Sequence, residues 1–562
     1  MPVEIPPSGN FDYIVCGGGT SGCVVASRLS EDPDVTVLLV EAGADSKGME
    51  NVDLIGAYGK LLDGVPTDWN IVGEPNPGLD GRCVKASRGK FLGGCSGCNE
   101  TFHTKDWFDA NVPSHGYEGP VHTEPMDLAP ISELVLESMQ SKGLKLCPDL
   151  FTTGESPNAC GHAVRTRHKG LRSSATGYLR EERPNLTILT NTLVDKVILE
   201  AEHGSSDLVA KAVQVLDSSG TTVEIRVNRE IIVSGGTYCS PAILMRSGIG
   251  AKTELEPLGI KCQVDLPGVG KNLMDHPIVF TFYEATTPNL TLDTHFSSPT
   301  SFAETYRQWK DERSGALSHI PFGAMAFARL DSRLSNSTIW THAPRPSPHL
   351  DPMSLNLLSQ PSIEFFSLEC YGGPKQYTDF PLPHQHCFGI VTELFGARSR
   401  GTVKLKSRNP LENPVVDHNY LNDAHGLDLE VLSEAVAFAN EIITESEPTR
   451  NVLKGAWPSG TRQGWKHRDD WKDYVKRNAT TCYHPSGTLK MGASSSSSSS
   501  SQSDPLSVLD NRLRVKGVKA LRVADCSVMP NLPQAHTQMP AYGIGEKAAD
   551  LIKQDRAGGR MN

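Results

Sequence analysis

The chain has 562 residues, more than one hydrophobic core usually organises, so at about 100–200 residues per unit it is expected to hold two to four folding units. With 38% hydrophobic and 21% charged residues it is neither a disordered nor a fibrous sequence, and 54 basic against 65 acidic residues leave −11 with no dense Lys/Arg run, which argues against nucleic acid as a partner. No apolar run reaches the ~18–20 residues that cross a bilayer, no basic segment with an apolar h-region precedes Phe11, and thirteen cysteines scattered through Gly-rich turns and apolar runs look like small buried residues; a cytoplasmic, reducing location is expected.

In chain order, residues 11–16 and 35–40 are short apolar runs of the kind buried parallel strands show, with a helix-length segment between them. Residues 187–199 and 211–227 alternate apolar and polar positions around Asp217-Ser-Ser-Gly220, which predicts antiparallel strands joined by a turn. From about 286 to 477 the texture changes to many prolines, scattered aromatics, strand-like stretches at 362–370 and 387–395 and an amphipathic helix near 427–443. This reads as a separate α+β domain with an antiparallel sheet, inserted into a discontinuous unit made of residues 1–285 and 478–562. The Ser-rich run 494–503 predicts a flexible surface loop.

Gly17-Gly-Gly19-Thr-Ser-Gly22 is a G-x-G-x-x-G placed after one strand and opening a helix, and Glu41 ends the next strand. Gly17 permits the tight turn, Gly19 lets backbone approach a pyrophosphate, Gly22 lets helix and strand pack closely, and Glu41 is placed to accept hydrogen bonds from a ribose. NAD and FAD share this grip. The carboxyl end separates them: residues 521–525 read as a strand ending in Asp525, and Met539-Pro540 opens an apolar-faced helix whose positive end would stabilise an anionic reduced flavin.

Four separated motifs then resemble the glucose-methanol-choline (GMC) family of FAD-dependent oxidoreductases, over nearly the whole chain. They are the opening fingerprint with Glu41; Arg88-Gly-Lys-Phe-Leu-Gly93-Gly94-Cys95-Ser96-Gly-Cys-Asn99; Gly236-Thr-Tyr-Cys-Ser240-Pro241 running to Gly250; and His484-Pro485-Ser-Gly487-Thr488 followed by Asp525 and His536. Val269-Gly270-Lys-Asn272-Leu-Met-Asp275-His276 is similar to the family's stretch after its second signature. The resemblance implies a Rossmann-like α/β FAD-binding domain and FAD as cofactor, contacted by Gly17, Gly19, Thr20, Ser21, Gly22, Glu41, Arg88, Gly93, Gly94, Ser96, Asn99, Val194, Ala524, Asp525, Thr537 and Gln538. It also implies His484 and His536 as the catalytic pair: His484 takes the hydroxyl proton of a small alcohol while hydride leaves to flavin N5, and His536 holds the developing alkoxide. Oxygen or another acceptor would reoxidise the flavin. Pro485 disfavours helix at His484, leaving it on an extended or turn segment that can face a ligand.

Two departures stand out. The several tens of residues that follow the Gly-rich loop in the family are missing after Asn99, which opens the alternative of a catalytically impaired deletion product, and the Ser-rich insert follows Gly492. A non-redox relative, a lyase or cyclase keeping FAD structurally, is a further alternative. No metal is expected: Cys95-x-x-Cys98 lacks a second pair and reads as two small residues, and His384-x-His386 lacks a third ligand. Phe365, Phe366, Tyr371 and Phe395 are candidate lining for an aryl or secondary-metabolite alcohol.

Overall fold

The computed structural model describes residues 10–98 except 63, 116–344 except 117, 125–126, 148–149, 151–155, 163–164, 203 and 206, and then 360–371, 385–492 and 504–558. Asn99 with the junction after it, His384 and the Ser-rich run 494–503 lie outside the described residues.

The apolar runs at the start of the chain form the expected unit, β1 (Phe11–Cys16), α1 (Thr20–Leu29) and β2 (Val37–Val40). β1 and β2 pair in parallel, Ile14 opposite Leu38 and Cys16 opposite Val40, and both strands are buried because layers cover both faces of the sheet. β2 pairs in parallel with β3 (Leu186–Leu189). The stretch 187–199 is therefore not one antiparallel strand: it breaks at residues 190–192, and only its second part, β4 (Leu193–Ala201), runs antiparallel, to β5 (Leu208–Leu216). A period of two marks both pieces as strand and cannot name the partner.

The expected turn follows, the Asp217 carboxylate accepting from the N–H groups of Ser219 (2.9 Å) and Thr221 (2.8 Å), and leads into β6 (Thr222–Val233). β6 begins antiparallel to β5 and continues parallel beside β1, with the strand Leu521–Val523 on its other side. The far end of the chain thus completes the sheet begun by residue 11. α2 (Gly236–Arg246) leaves the end of β6.

A second sheet is built from β7 (Pro277–Ala285), β8 (Phe322–Ala328), β9 (Ile363–Leu368) and β10 (Cys387–Leu394), all antiparallel to their neighbours in the order β7-β10-β9-β8. It also takes in Ala159–Gly161, Lys145–Leu146, Leu453–Trp457 and Thr480–Thr481 at its margins. One face packs on α3 (Leu427–Glu445), where Phe365 meets Phe438 at 5.6 Å between ring centroids. The other face carries Ile278, Met325, Phe366, Leu368 and Val391, with Phe280, Phe282 and Phe322 packed against them. Alternation along β9 therefore separates neighbouring candidates: Phe365 is core, as is Phe395 in its own buried cluster, while Phe366 and Tyr371 lie on the second face. The strand at 387–395 starts at Cys387, so His386 stands before it rather than in it.

The closing helix α4 (Gln538–Ala557) returns to the first sheet and packs along α1, where Arg28 pairs with both carboxylate oxygens of Glu546 (2.8 and 2.9 Å). Among the described residues no helix is long and apolar enough to cross a membrane.

Candidate active site

An elongated cavity of about 1420 Å³, counting its open mouth, runs from the β1–α1 turn to the start of α4. Its walls are set by local backbone rules. Gly17 has φ +117°, and a Cβ there would stand 2.3 Å from the Ser234 carbonyl oxygen; a Cβ on Gly22 would stand 1.9 Å from the Gly17 carbonyl oxygen. Gly19 differs: nothing lies within 4 Å of where its Cβ would be, because that direction opens into the cavity at the amino end of α1. The helix N–H groups there offer donors and partial positive charge to an anion.

Glu41 is buried at the same end, its two oxygens accepting from the N–H groups of Gly18 and Gly43, both at 2.8 Å. Burial pushes its carboxyl up to about 7, against the pull of those donors. Toward the other end, Arg88 lies between the rings of Tyr238 and Tyr483, 5.9 and 5.8 Å from their centroids, and its Nε and Nη2 have no hydrogen-bond partner among the described residues. Ser234 Oγ is likewise buried without a partner. An open glycine cradle at a helix start, a buried acid and unpaired buried donors fit a long, anionic, hydrogen-bonding ligand with a flat end, and FAD answers each feature.

Of the residues expected to hold FAD, Gly17, Gly19, Thr20, Ser21, Glu41, Arg88, Gly94, Ser96, Val194, Asp525, Thr537 and Gln538 line the cavity. Gly22, Gly93 and Ala524 stand behind its wall: Gly22 in the strand–helix contact, Gly93 with its N–H on the Gly18 carbonyl (2.8 Å), Ala524 with its N–H on the Val233 carbonyl (2.8 Å). Asp525 also caps α2, its Oδ2 accepting from the Gly236 N–H (2.9 Å) and the Ser240 hydroxyl (2.6 Å). Trp69, Ile71, Thr192 and Tyr238 line the cavity too. Tyr238 belongs to the motif that opens at Gly236, whereas nothing in the sequence surroundings of Trp69, Ile71 and Thr192 marks them.

His484 and His536 come together, ring centroids 4.9 Å apart, each in a segment that borders the cavity through a neighbour (Tyr483, Pro485, Thr537). Asp275 fixes the first: its Oδ1 accepts from the backbone N–H of His484 and of His276, both at 2.9 Å, while Oδ2 takes the Tyr420 and Thr481 hydroxyls, both at 2.6 Å. Met274 and Ser486 exchange backbone hydrogen bonds of 2.9 Å across the same join.

Two carboxylates face these rings from the second sheet. Glu364 of β9 is directly opposite Glu393 of β10 in the strand register. Glu393 Oε1 lies 2.8 Å from His276 Nδ1 and 3.3 Å from His484 Nδ1, its Oε2 accepts from the Cys482 thiol (2.9 Å), and Glu364 Oε2 lies 3.1 Å from His536 Nε2. Burial would raise Glu393, but the His276 and His484 hydrogen bonds hold it well below the usual carboxylate range. Burial lowers His484 to about 4, with Glu393 opposing. Burial also acts to lower His536, yet the Glu364 carboxylate outweighs it and keeps His536 above the usual imidazole range. Sequence reasoning missed both acids and gave His276 no role; the available signal was a lone Glu inside each of two fully buried apolar strands.

Two family models described as GMC oxidoreductase match residues 116–278 and 397–545. A choline oxidase of Arthrobacter globiformis is 30% identical over 98% of this chain and 95% of its own length, and pyranose dehydrogenase 3 of Leucoagaricus meleagris is 29% identical over 99% and 95%. A crystal structure of formate oxidase superposes with a TM-score of 0.87 at 26% identity, covering 98% of this chain and 99% of that one. Cavity, fold and sequence agreement along the whole length converge: the chain belongs to the GMC oxidoreductase family, and its cofactor is FAD.

Proposed function

We propose that the protein oxidises the CH–OH group of a small alcohol, with His484 as general base. The observation that carries this reading is the meeting of His484 and His536 beside the FAD cavity, backed by a buried acid behind each ring. When bound, FAD supplies the acceptor for the α-hydride. The chain's own side chains handle the proton. At pH 7 a buried His484 with its pKa near 4 is neutral, and His276 Nδ1 (3.0 Å) together with the Glu393 carboxylate (3.3 Å) on its Nδ1 side favours the tautomer that leaves Nε2 free to accept the hydroxyl proton. Glu393 stays anionic and stabilises the imidazolium as it forms. His536 is kept proton-bearing by Glu364 and so donates to the alcohol oxygen as that oxygen gains charge.

The substrate class follows from the second face of the antiparallel sheet. Glu364 and Phe366 share a face two residues apart, and Phe366 reaches to 6.4 Å from His536, so the reacting oxygen would sit at the edge of an apolar, Phe-rich surface. An aryl or otherwise apolar alcohol of the secondary-metabolite type suits that surface. The named relatives act as oxidases and dehydrogenases, which supports redox chemistry with oxygen or another acceptor. We also assign FAD binding to residues 1–285 with 478–562 and substrate binding to 286–477, the second sheet borrowing strands from both flanks. To the same reading belongs a cytoplasmic, reducing setting, suggested by thirteen cysteines scattered through Gly-rich turns and apolar runs.

The test is anaerobic mixing of purified yellow enzyme with a benzylic alcohol series. Flavin absorbance should bleach, and His484→Ala should keep the colour while slowing bleaching by ~10²–10⁴-fold. A protein that cannot be reconstituted with FAD, or an H484A variant that bleaches at the original rate, overturns the reading.

A further inference from the structure

Cys95-x-x-Cys98 is unused by the chemistry above, yet its first cysteine is in the cavity wall and its second packs behind it against Val52, Leu61 and Phe91. Cys95 lines the cavity next to Gly94 and Ser96, at the end that also holds Arg88, Tyr483 and Pro485. The two cysteines span a single 3₁₀ turn, Gly94–Gly97, and the Cys98 N–H donates to the Cys95 carbonyl at 3.2 Å. An i to i+3 turn of this kind brings the Cα atoms within about 7 Å and eclipses the side chains, which is the span a disulfide bridges. Cys98 Sγ already sits 3.5 Å from the Cys95 carbonyl oxygen, folded back over its partner.

The surroundings single out one sulfur. Arg88 Nη1 is 3.6 Å from Cys95 Sγ, and the rest of that guanidinium, buried between two tyrosine rings, has donors to spare. A buried cation favours an anion at its side, and a thiolate at Cys95 is the protein group placed to be one. The Cys98 hydrogen bond and the Arg88 charge hold the Cys95 thiol down near about 5 against burial, whereas its hydrogen bond to Cys95 and burial push Cys98 up. Of the two, Cys95 is the sulfur its surroundings favour as thiolate and Cys98 the one they favour as thiol. Among the described residues neither cysteine belongs to any group of three metal-ligating side chains.

We propose that Cys95 and Cys98 are a redox-active dithiol that exchanges an electron pair with the bound FAD by closing and opening a disulfide between them. On closing, the Cys95–Cys98 S–S bond forms, the Cys98 S–H bond breaks, and two electrons pass to the oxidised isoalloxazine, with the Cys98 proton and one from solvent balancing the charge. On opening, the reduced isoalloxazine returns the pair. The proposal rests on FAD filling the cavity, as above.

Anaerobic dithionite titration of the air-oxidised holoenzyme should consume ~four electrons per FAD, two for the flavin and two for the disulfide, against ~two in Cys98→Ser and in Cys95→Ser. Thiols counted after denaturation should number thirteen in the reduced enzyme and two fewer in the oxidised one. The peptide holding both cysteines should be lighter by two hydrogens when oxidised. A yellow wild type that takes up only two electrons and shows all its thiols when oxidised overturns this proposal and leaves the FAD site standing; a protein without flavin absorbance overturns both. A flavin mass carried on that peptide also overturns it, since the sulfur would then be a tether.

Discussion

Glu364 and Glu393 stand opposite one another on adjacent antiparallel strands, an arrangement that like charges alone would destabilise. Three imidazoles, from His276, His484 and His536, convert that repulsion into a shared proton network. The acid limb of kcat/KM should accordingly fall as pH drops through about 4, since protonating His484 removes the base, and not through the ordinary imidazole range. Glu393→Gln removes the anion that raises His484, so the limb should move to still lower pH, while kcat drops ~10²-fold or more as the tautomer is no longer held. A pH–rate profile of both enzymes checks the sign: a limb that stays near 6.5 places the proton elsewhere. His484 could be picked out of the sequence because the run His484-Pro485-Ser-Gly487-Thr488 resembles a family motif, Pro485 adding only that its backbone is not helical. The two acids could not, because what makes them functional is the partner across the sheet.

The glycine turn between β1 and α1 separates two jobs that a motif runs together. Gly22→Ala would drive a methyl into the Gly17 carbonyl, so the flavin-free fold should lose ~1–3 kcal/mol. Gly19→Ala meets no protein atom, so thermal unfolding of the flavin-free protein should be unchanged while FAD affinity falls, because the methyl enters the space for phosphate. Equal losses of apo stability in the two variants would show that Gly19 faces the protein interior. Periodicity located β1, β2, β9, β10 and α3, where burial on one or two faces writes itself into the residue pattern. It failed at 187–199, because β3 takes its partner from β2, some 150 residues earlier, and nothing in a local pattern records that choice.

Over the whole molecule the cavity is assembled from β1 and α1 at the start, α2 in the middle, and Asp525 and Cys526 with α4 at the end, so FAD adds contacts between regions far apart in the chain that the first sheet already joins. Binding must then stabilise the fold: at a free concentration of 100 times Kd the gain is ~2.7 kcal/mol, a rise in Tm of at least about 2 °C for a chain of this size. Glu41→Ala should remove most of that rise and, because it orphans the buried N–H groups of Gly18 and Gly43, should also lower the stability of the unliganded protein by ~1–3 kcal/mol, as followed by thermal unfolding with and without added FAD. A full rise in the variant would exclude Glu41 from the contact.

What the amino-acid order settled unaided is local: where glycine is demanded by φ or by close approach, and where strands are buried on both sides. These depend on a few neighbouring residues and on elementary sterics. Tertiary structure alone decided which acid faces which imidazole, that His276 joins His484 on one carboxylate oxygen, and that Arg88 stands beside Cys95 in the flavin wall. Those distances are set by strand register and by the return of the chain from Leu521 onward to its first sheet, and neither leaves a periodic trace in the sequence.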